Sequence, residues 1–141
     1  MSEIQSPGFR LLAILSLLYF LASLVHFIHN AEFIALYPGL PESWTRVGVY
    51  LAWMGLTAVG VSGWIFLKKG FHITGLILLL VYAMLGIDSL GHYVVASMGE
   101  HTLAMNVTIL LEVIAAGLVF IEALRLLIKR ISETRAMQSS V

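Results

Sequence analysis

Residues 103–128 read LAMNVTILLEVIAAGLVFIEALRLLI, a stretch in which Glu112, Glu122 and Arg125 are the only charged residues. A hydrocarbon layer about 30 Å thick is crossed by a helix of about 20 mostly apolar residues, so this stretch is long enough to span a membrane. Three further apolar stretches of similar length lie at about 9–29, 47–67 and 73–95. The sequence therefore predicts an all-α integral membrane protein, a bundle of four transmembrane helices.

The composition also favours lipid as the surroundings of this chain. Of its 141 residues, 60% are hydrophobic and 11% are charged, whereas soluble domains carry about 25% charged residues. The formal net charge is zero, which excludes the basic surface typical of nucleic-acid binding. The chain has no cysteine, which excludes disulfide bonds and thiolate metal ligands. We expect one domain over 1–130 and a polar tail, 131–141, without regular structure.

The distribution of basic residues predicts the orientation of the bundle. Cytoplasmic segments of membrane proteins are enriched in Lys and Arg. If both termini are cytoplasmic, Arg46 is the one basic residue on the opposite side of the membrane. We therefore predict cytoplasmic termini and a multi-pass protein of the inner (plasma) membrane, with lipid as its immediate partner. The basic residues on the cytoplasmic side are then Arg10, Lys68, Lys69, Arg125, Lys129, Arg130 and Arg135.

Two loops, about 30–44 and 96–102, then face away from the cytoplasm. The first contains Tyr-Pro-Gly-Leu-Pro at 37–41, and prolines separated by a glycine favour a turn over a regular helix. Its aromatic residues favour a position at the membrane interface. The loop either covers a functional site or simply turns the chain.

Histidines and an aspartate converge on this same side of the predicted bundle. His26 and His29 are three residues apart at the end of the first helix, and Asp88 and His92 are four apart near the end of the third. Residues at these spacings project from one face of a helix. His101 lies just before the fourth helix. These five residues are the candidate metal ligands, whereas His72 falls at the opposite end and belongs to no cluster.

The fourth helix adds a carboxylate inside the membrane. Glu112 lies roughly 20 Å before Arg125 at a rise of 1.5 Å per residue, and a charged group at this depth needs a partner. Glu112 and Asp88 are the candidate catalytic acid and base. Two lines of residues at helical spacing are expected to face the interior. These lines are His101, Met105, Thr108 and Glu112 on the fourth helix, and Ser16, Tyr19, Ser23, His26 and Asn30 on the first.

The chemistry that this cluster fits best is a site for a divalent transition metal, namely Zn, Cu or Fe. Imidazole and carboxylate groups bind all three metals. Locally, Asp88, His92 and His101 resemble the membrane copper site in the C subunit of particulate methane monooxygenase, where Asp and His four residues apart are joined by a more distant His. That resemblance covers residues 88–101 only and implies copper. The alternative is a structural network of hydrogen bonds between helices.

Several functions remain open from the sequence. The first is a metal-binding membrane protein, either without catalysis or as a metal-dependent enzyme acting on a lipid-soluble substrate that enters beneath the 37–44 loop. The second is a non-catalytic accessory subunit of a larger membrane complex or a homo-oligomer. The third and fourth are haem binding by a histidine pair and transport of protons or ions. The single His-x-x-His motif is too little for a diiron desaturase.

Overall fold

A computed structural model describes residues 6–41 and 43–139. All of the regular secondary structure in these residues is helical. The long helices are α1 (Pro7–Glu32), α2 (Arg46–Lys68), α3 (His72–Ile87) and α5 (Leu103–Ser139), and α4 (His92–Val95) is a single short turn. Short 3₁₀ turns occupy Ile34–Leu36, Asp88–Gly91 and Met98–Glu100. The prediction of an all-α chain is confirmed.

Four helical segments are long and apolar enough to cross a membrane. They are Pro7–Glu32, Arg46–Lys68, His72–Val95 and Leu103–Gln138, and their most apolar windows have mean hydropathies between 1.5 and 2.4. The four predicted spans are therefore found as helices, while insertion into a membrane and the orientation of the termini stay predictions. The third span is not one continuous α-helix, because its backbone tightens into the 3₁₀ turn at Asp88–Gly91 before α4.

The helices form a bundle in which α5 packs along α1 and α3, and α2 packs along α3. The contact between α1 and α2 is the least extensive of these helix pairs. Glycines allow the closest approach between α2 and α3. A Cβ atom on Gly75 would lie 2.8 Å from the Gly63 carbonyl oxygen and 2.6 Å from Leu67 Cγ, so the two backbones meet where neither carries a side chain.

The first helix shows which environment this bundle suits. Its inward face is polar, because Ser16, Tyr19, Ser23, His26 and Asn30 are all buried, as the helical spacing predicts. Its outward face is apolar, and Leu17, Leu21 and Val25 are about half exposed. A soluble helix has the opposite arrangement. This inversion agrees with a lipid environment for the outer surface of the bundle. The exposed apolar residues of α1 are Leu11, Ile14, Leu17, Leu18, Leu21, Val25 and Ile28.

The two ends of the bundle differ in character. A mainly apolar core, which includes Leu12, Leu67, Leu76 and Leu126, fills the end at which α1 begins and α2 ends. The buried polar residues concentrate at the other end, beside the connections 33–45 and 96–102. We call this second end the histidine end. His72 lies at the first end, where its ring centroid is 6.0 Å from that of Phe9, so it is remote from the histidine cluster.

The C-terminal tail differs from the sequence-based prediction. Helix α5 continues to Ser139, so the prediction of an irregular tail is wrong for residues 131–139, and residues 140–141 lie outside the described part of the chain. The tail contains Glu, Arg, Ala, Met and Gln, all good helix formers. Lys129 and Glu133 add an ion pair at the i,i+4 spacing, with N and O 3.8 Å apart, which supports a helix.

Two carboxylates, Glu122 and Glu32, are paired with arginines. Glu122 is buried, and the Arg125 guanidinium donates hydrogen bonds of 2.8 and 2.5 Å to its two oxygens. At the histidine end, Arg46 donates a 2.5 Å hydrogen bond to Glu32, which also accepts one from the Tyr50 hydroxyl. The single basic residue on the predicted non-cytoplasmic side is therefore neutralised by an adjacent carboxylate.

Candidate functional site

The histidine end brings together the four histidines that the sequence placed on one side of the membrane. The ring centroids of His26 and His92 are 5.4 Å apart, and those of His92 and His101 are 6.1 Å apart. The ring of Tyr37 lies among them, 5.2 Å from His92, 5.8 Å from His29 and 6.4 Å from His101. The four rings and Tyr37 thus form one continuous cluster between α1, α4 and the start of α5.

Tyr37 is the member of this cluster that the sequence did not identify. It was expected at the membrane interface, yet it is only 5% exposed. Burial raises the pKa of Tyr37 to about 12, so its phenol keeps its proton at neutral pH. The phenol lies 2.9 Å from His29 Nδ1, a hydrogen bond in which the phenol donates to one imidazole tautomer and accepts from the other.

The loop that carries Tyr37 is held in place by Gly39. Gly39 has φ +73°, a left-handed conformation that glycine adopts without steric cost. A Cβ atom there would lie 2.9 Å from the Val95 carbonyl oxygen, so the loop backbone rests directly on the end of α4. The described part of the 33–45 connection is therefore a docked loop on the histidine end, and its role as the cover of a functional site stays a prediction.

Glu112 and His26 form the deepest part of the site. Glu112 is completely buried, its Oε2 accepts a 2.7 Å hydrogen bond from the Ser89 hydroxyl, and His26 Nε2 lies 3.7 Å from the same oxygen. The Thr108 hydroxyl donates its proton to the Met105 carbonyl and so accepts from His26 Nδ1 at 3.3 Å. His26 Nε2 therefore presents a lone pair toward Glu112.

Several buried polar atoms at this end have no hydrogen-bond partner among the described residues. Buried polar groups in proteins almost always have partners, so such atoms mark places where a water molecule, an ion or a ligand belongs. Asn30 donates from its amide nitrogen to His92 Nε2 at 3.4 Å, while its own oxygen remains unpartnered. The unpartnered atoms here are Asn30 Oδ1, His92 Nδ1, His101 Nε2 and Glu112 Oε1.

Two of the four residues, Asn30 and His92, line a cavity of about 480 Å³ that opens between α1, α2 and α3. Such a volume is typical of small-molecule sites. Polar side chains from α1, the 3₁₀ turn and α4 form one wall, and apolar side chains from α2 and the docked loop form most of the rest. The lining residues are His26, Phe27, Asn30, Leu40, Pro41, Trp44, Ala52, Leu56, Leu85, Asp88, Ser89, Gly91, His92 and Val95.

The cavity divides the five predicted metal ligands into two groups. His26, Asp88 and His92 line the cavity, whereas His29 turns to Tyr37, and His101 Nδ1 lies 2.9 Å from the Ser97 carbonyl oxygen. Among residues 6–41 and 43–139, no three His, Asp or Glu side chains are arranged as a metal site. Of the predicted acid and base, Glu112 lies beneath the cavity and Asp88 on its surface.

A smaller cavity of about 180 Å³ lies deeper along the same α1–α2 seam. Ser16 Oγ and Thr57 Oγ1 are buried beside it without partners among the described residues. Between the two cavities, the Trp53 indole donates a 3.2 Å hydrogen bond to Ser23 Oγ. On α2, the residues Thr57, Gly60 and Trp64 line this smaller cavity.

The chain was compared with models of protein families, with curated proteins and with solved structures, and nothing matches in any of the three comparisons. A fold alone does not determine function. The function is therefore argued from the geometry of the histidine end.

Proposed function

We propose that this protein binds a small, lipid-soluble molecule with a polar head group in the cavity at its histidine end. The observation that carries the proposal is the uneven lining of that cavity, with His26, Asn30, Ser89 and His92 on one wall and mainly apolar residues elsewhere. Ligand sites commonly combine an apolar surface with a few convergent polar groups. The unpartnered atoms of Asn30 and His92 supply hydrogen-bonding positions for the head group.

The weak α1–α2 contact supports access from the lipid. Both cavities lie along this seam, and the outer one is bordered by Leu40, Pro41 and Trp44 of the docked loop. An apolar tail can extend between α1 and α2, where the outward faces of both helices are apolar. The head group then lies beneath the loop. This arrangement keeps the apolar part of the molecule in contact with protein and lipid throughout.

Glu112 gives the site a capacity for proton exchange. Its hydrogen-bond donor, Ser89, lines the cavity, and so does His26, whose Nε2 faces the same carboxylate oxygen. A proton on a bound molecule can reach Glu112 through the Ser89 hydroxyl. Intramembrane carboxylates are costly, and they commonly mark functional sites. We propose Glu112 as the acid or base of any reaction at this site.

The binding proposal is tested by filling the cavity. Gly91 lines it, and a Cβ atom added to Gly91 meets no other atom within 4 Å, so Gly91→Leu adds a bulky side chain at the cavity wall without a steric clash at its Cβ. We expect Gly91→Leu to lose most of the lipid-soluble molecules that co-purify with the wild-type protein. The measurement is mass spectrometry of organic extracts from protein purified in a neutral detergent.

Gly55→Leu is the matched control, since Gly55 is exposed on α2 and also has open space around it. It should retain the bound molecules. If both variants and the wild type yield the same extract, with no molecule present in stoichiometric amount, the cavity is not a ligand site and the proposal is wrong.

A second candidate is a transition-metal site at the same place. It is favoured by the lone pair of His26 Nε2, the unpartnered Glu112 Oε1 and the neighbouring ring of His92. These side chains would have to rearrange to bind one ion together. This candidate predicts stoichiometric Zn, Cu or Fe by elemental analysis, and loss of that metal in His26→Ala and in His92→Ala. His72→Ala is the control and should retain the metal. Metal-free wild-type protein after incubation with each ion excludes the candidate.

A further inference from the structure

The charges around the cavity narrow the chemical class of its ligand, an inference that rests on the proposed function. Among the residues that the structure describes, Asp88 is the only carboxylate in the lining, and no lysine or arginine lines the cavity. The sequence contains no lysine or arginine between Lys69 and Arg125. Asp88 forms no hydrogen bond or ion pair within residues 6–41 and 43–139, in contrast to Glu32 and Glu122, which both have arginine partners. The cavity therefore presents a negative charge without a counterion.

A second observation comes from Asn30. This side chain is 4% exposed, lines the cavity, and its Oδ1 has no donor among the described residues. An amide oxygen of this kind accepts a hydrogen bond from an N–H or O–H group. Asp88 and Asn30 thus offer acceptors and a negative charge on the polar wall. An anionic head group would meet repulsion from Asp88 and no compensating cation.

Aromatic residues complete the set of contacts. Phe27 and Trp44 both line the cavity, and the face of an aromatic ring attracts a cation. An ammonium group carries three N–H donors and one positive charge, which suit a carboxylate, an amide oxygen and aromatic rings together. The Nδ1 proton of His92 remains available for a neutral oxygen, such as a hydroxyl group of the ligand or a water molecule.

We infer that the ligand of this cavity is a lipid-soluble amine, bound with its ammonium group at Asp88 and Asn30 and its apolar part along the α1–α2 seam. The carboxylate selects for positive charge, and the apolar lining selects for a hydrocarbon chain. Of the two possible sources of such a group, a free amine fits a cavity of about 480 Å³ more readily than a whole phospholipid with an ethanolamine head group.

The test compares three probes with the same hydrocarbon chain, namely decylamine, decanol and decanoate. Binding is measured as the increase in the thermal unfolding midpoint of the protein in a neutral detergent. Because a charge-assisted hydrogen bond is stronger than a neutral one, we expect decylamine to bind about tenfold more tightly than decanol, which corresponds to about 1.4 kcal/mol. Decanoate should bind more weakly than decanol.

Asp88→Asn should remove the preference for decylamine while leaving decanol binding unchanged. Asp88 is exposed, so this substitution leaves the fold intact. Glu133→Gln is the control for the loss of one negative charge, because Glu133 lies in the tail, far from the cavity, and it should keep the preference. Equal binding of decylamine and decanol, or an unchanged preference in Asp88→Asn, would overturn the inference.

The test also separates failure of this inference from failure of the proposed function. If decanol binds as tightly as decylamine, and Gly91→Leu abolishes this binding, the cavity is a ligand site but is not specific for amines. If none of the three probes stabilises the protein, both the proposed function and the amine inference are wrong. Nanodiscs with and without phosphatidylethanolamine distinguish the sources of the amine. If phosphatidylethanolamine weakens decylamine binding, its head group occupies the site. If decylamine binds equally in both nanodiscs, the ligand is a free amine. Both of these results support recognition of an ammonium group.

Discussion

Glu112→Ala should lower the free energy of unfolding of the bundle by about 3 kcal/mol. This value combines the cost of the cavity that the substitution leaves with the cost of the polar groups that lose their partner. Glu112 is completely buried, and its removal takes the acceptor from the Ser89 hydroxyl and the neighbour from His26 Nε2. Neither group has another partner in the bundle interior to replace it. The measurement is the unfolding midpoint in mixed micelles of a neutral detergent and a denaturing one.

Two substitutions control for the chemistry and the position of Glu112. Glu112→Gln keeps the volume and an oxygen that accepts from Ser89, so its cost should stay below about 1 kcal/mol. Leu111→Ala truncates the adjacent residue, which is 53% exposed on the surface of α5, and should also cost little. If the unfolding midpoint of Glu112→Ala is no lower than that of Leu111→Ala, the carboxylate does not hold α1, the 3₁₀ turn and α5 together.

The helices and their buried faces were predictable because they depend on short-range patterns. Continuous apolar stretches predict the helices, and the regular spacing of Ser16, Tyr19, Ser23, His26 and Asn30 predicts that they share a face. All five are buried in the structure. The same reasoning placed Met105, Thr108 and Glu112 on the inward face of the fourth helix. Helical period and hydropathy are sufficient for these features, because the backbone repeats regularly over the whole span.

The partners within the cluster were not predictable, because they depend on how separate segments meet. The sequence places Asp88 and His92 on one face of a continuous helix, but the 3₁₀ turn changes the angular step between residues, and Asp88 is exposed to the cavity. His26, rather than His92, is the histidine beside Glu112. Tyr37 reaches the cluster through a loop, for which no periodic pattern exists. The Pro-Gly turn at 38–39 was the available signal that this loop has a defined shape.

The polar groups of the histidine end are only partly paired with one another. Polar residues in a membrane bundle stabilise contacts between helices when they are paired, and Thr108, Ser89 and Tyr37 each bond one member of the cluster. Among the described residues, Asn30 Oδ1 and His92 Nδ1 are unpartnered, and both residues line the cavity. This distribution is expected for a site whose final hydrogen bonds come from a bound molecule, and it is not expected for a purely structural network, in which pairing is complete.

The docked loop is the feature on which this site depends most, and Gly39→Ala should release it. Alanine at φ +73° costs about 1–2 kcal/mol, and its Cβ would lie 2.9 Å from the backbone oxygen of Val95. Because that oxygen belongs to α4, the loop must move away, and Tyr37 leaves the histidine rings with it. We expect amide hydrogen exchange across residues 33–45 to accelerate by about tenfold or more, since about 1.4 kcal/mol corresponds to a factor of ten.

Ligand binding should weaken in the same variant, because Leu40, Pro41 and Trp44 of this loop line the cavity. Gly99→Ala is the matched control: Gly99 also lies in a connection at the histidine end, but it has no left-handed φ, and its nearest neighbour would be Ser97 Oγ at 4.0 Å. It should leave both exchange and binding unchanged. Equal exchange across 33–45 in the two alanine variants would show that the contact between Gly39 and Val95 does not hold the loop. In that case the contacts of Tyr37 with His29, His92 and His101 would be the interactions that hold the loop on the bundle.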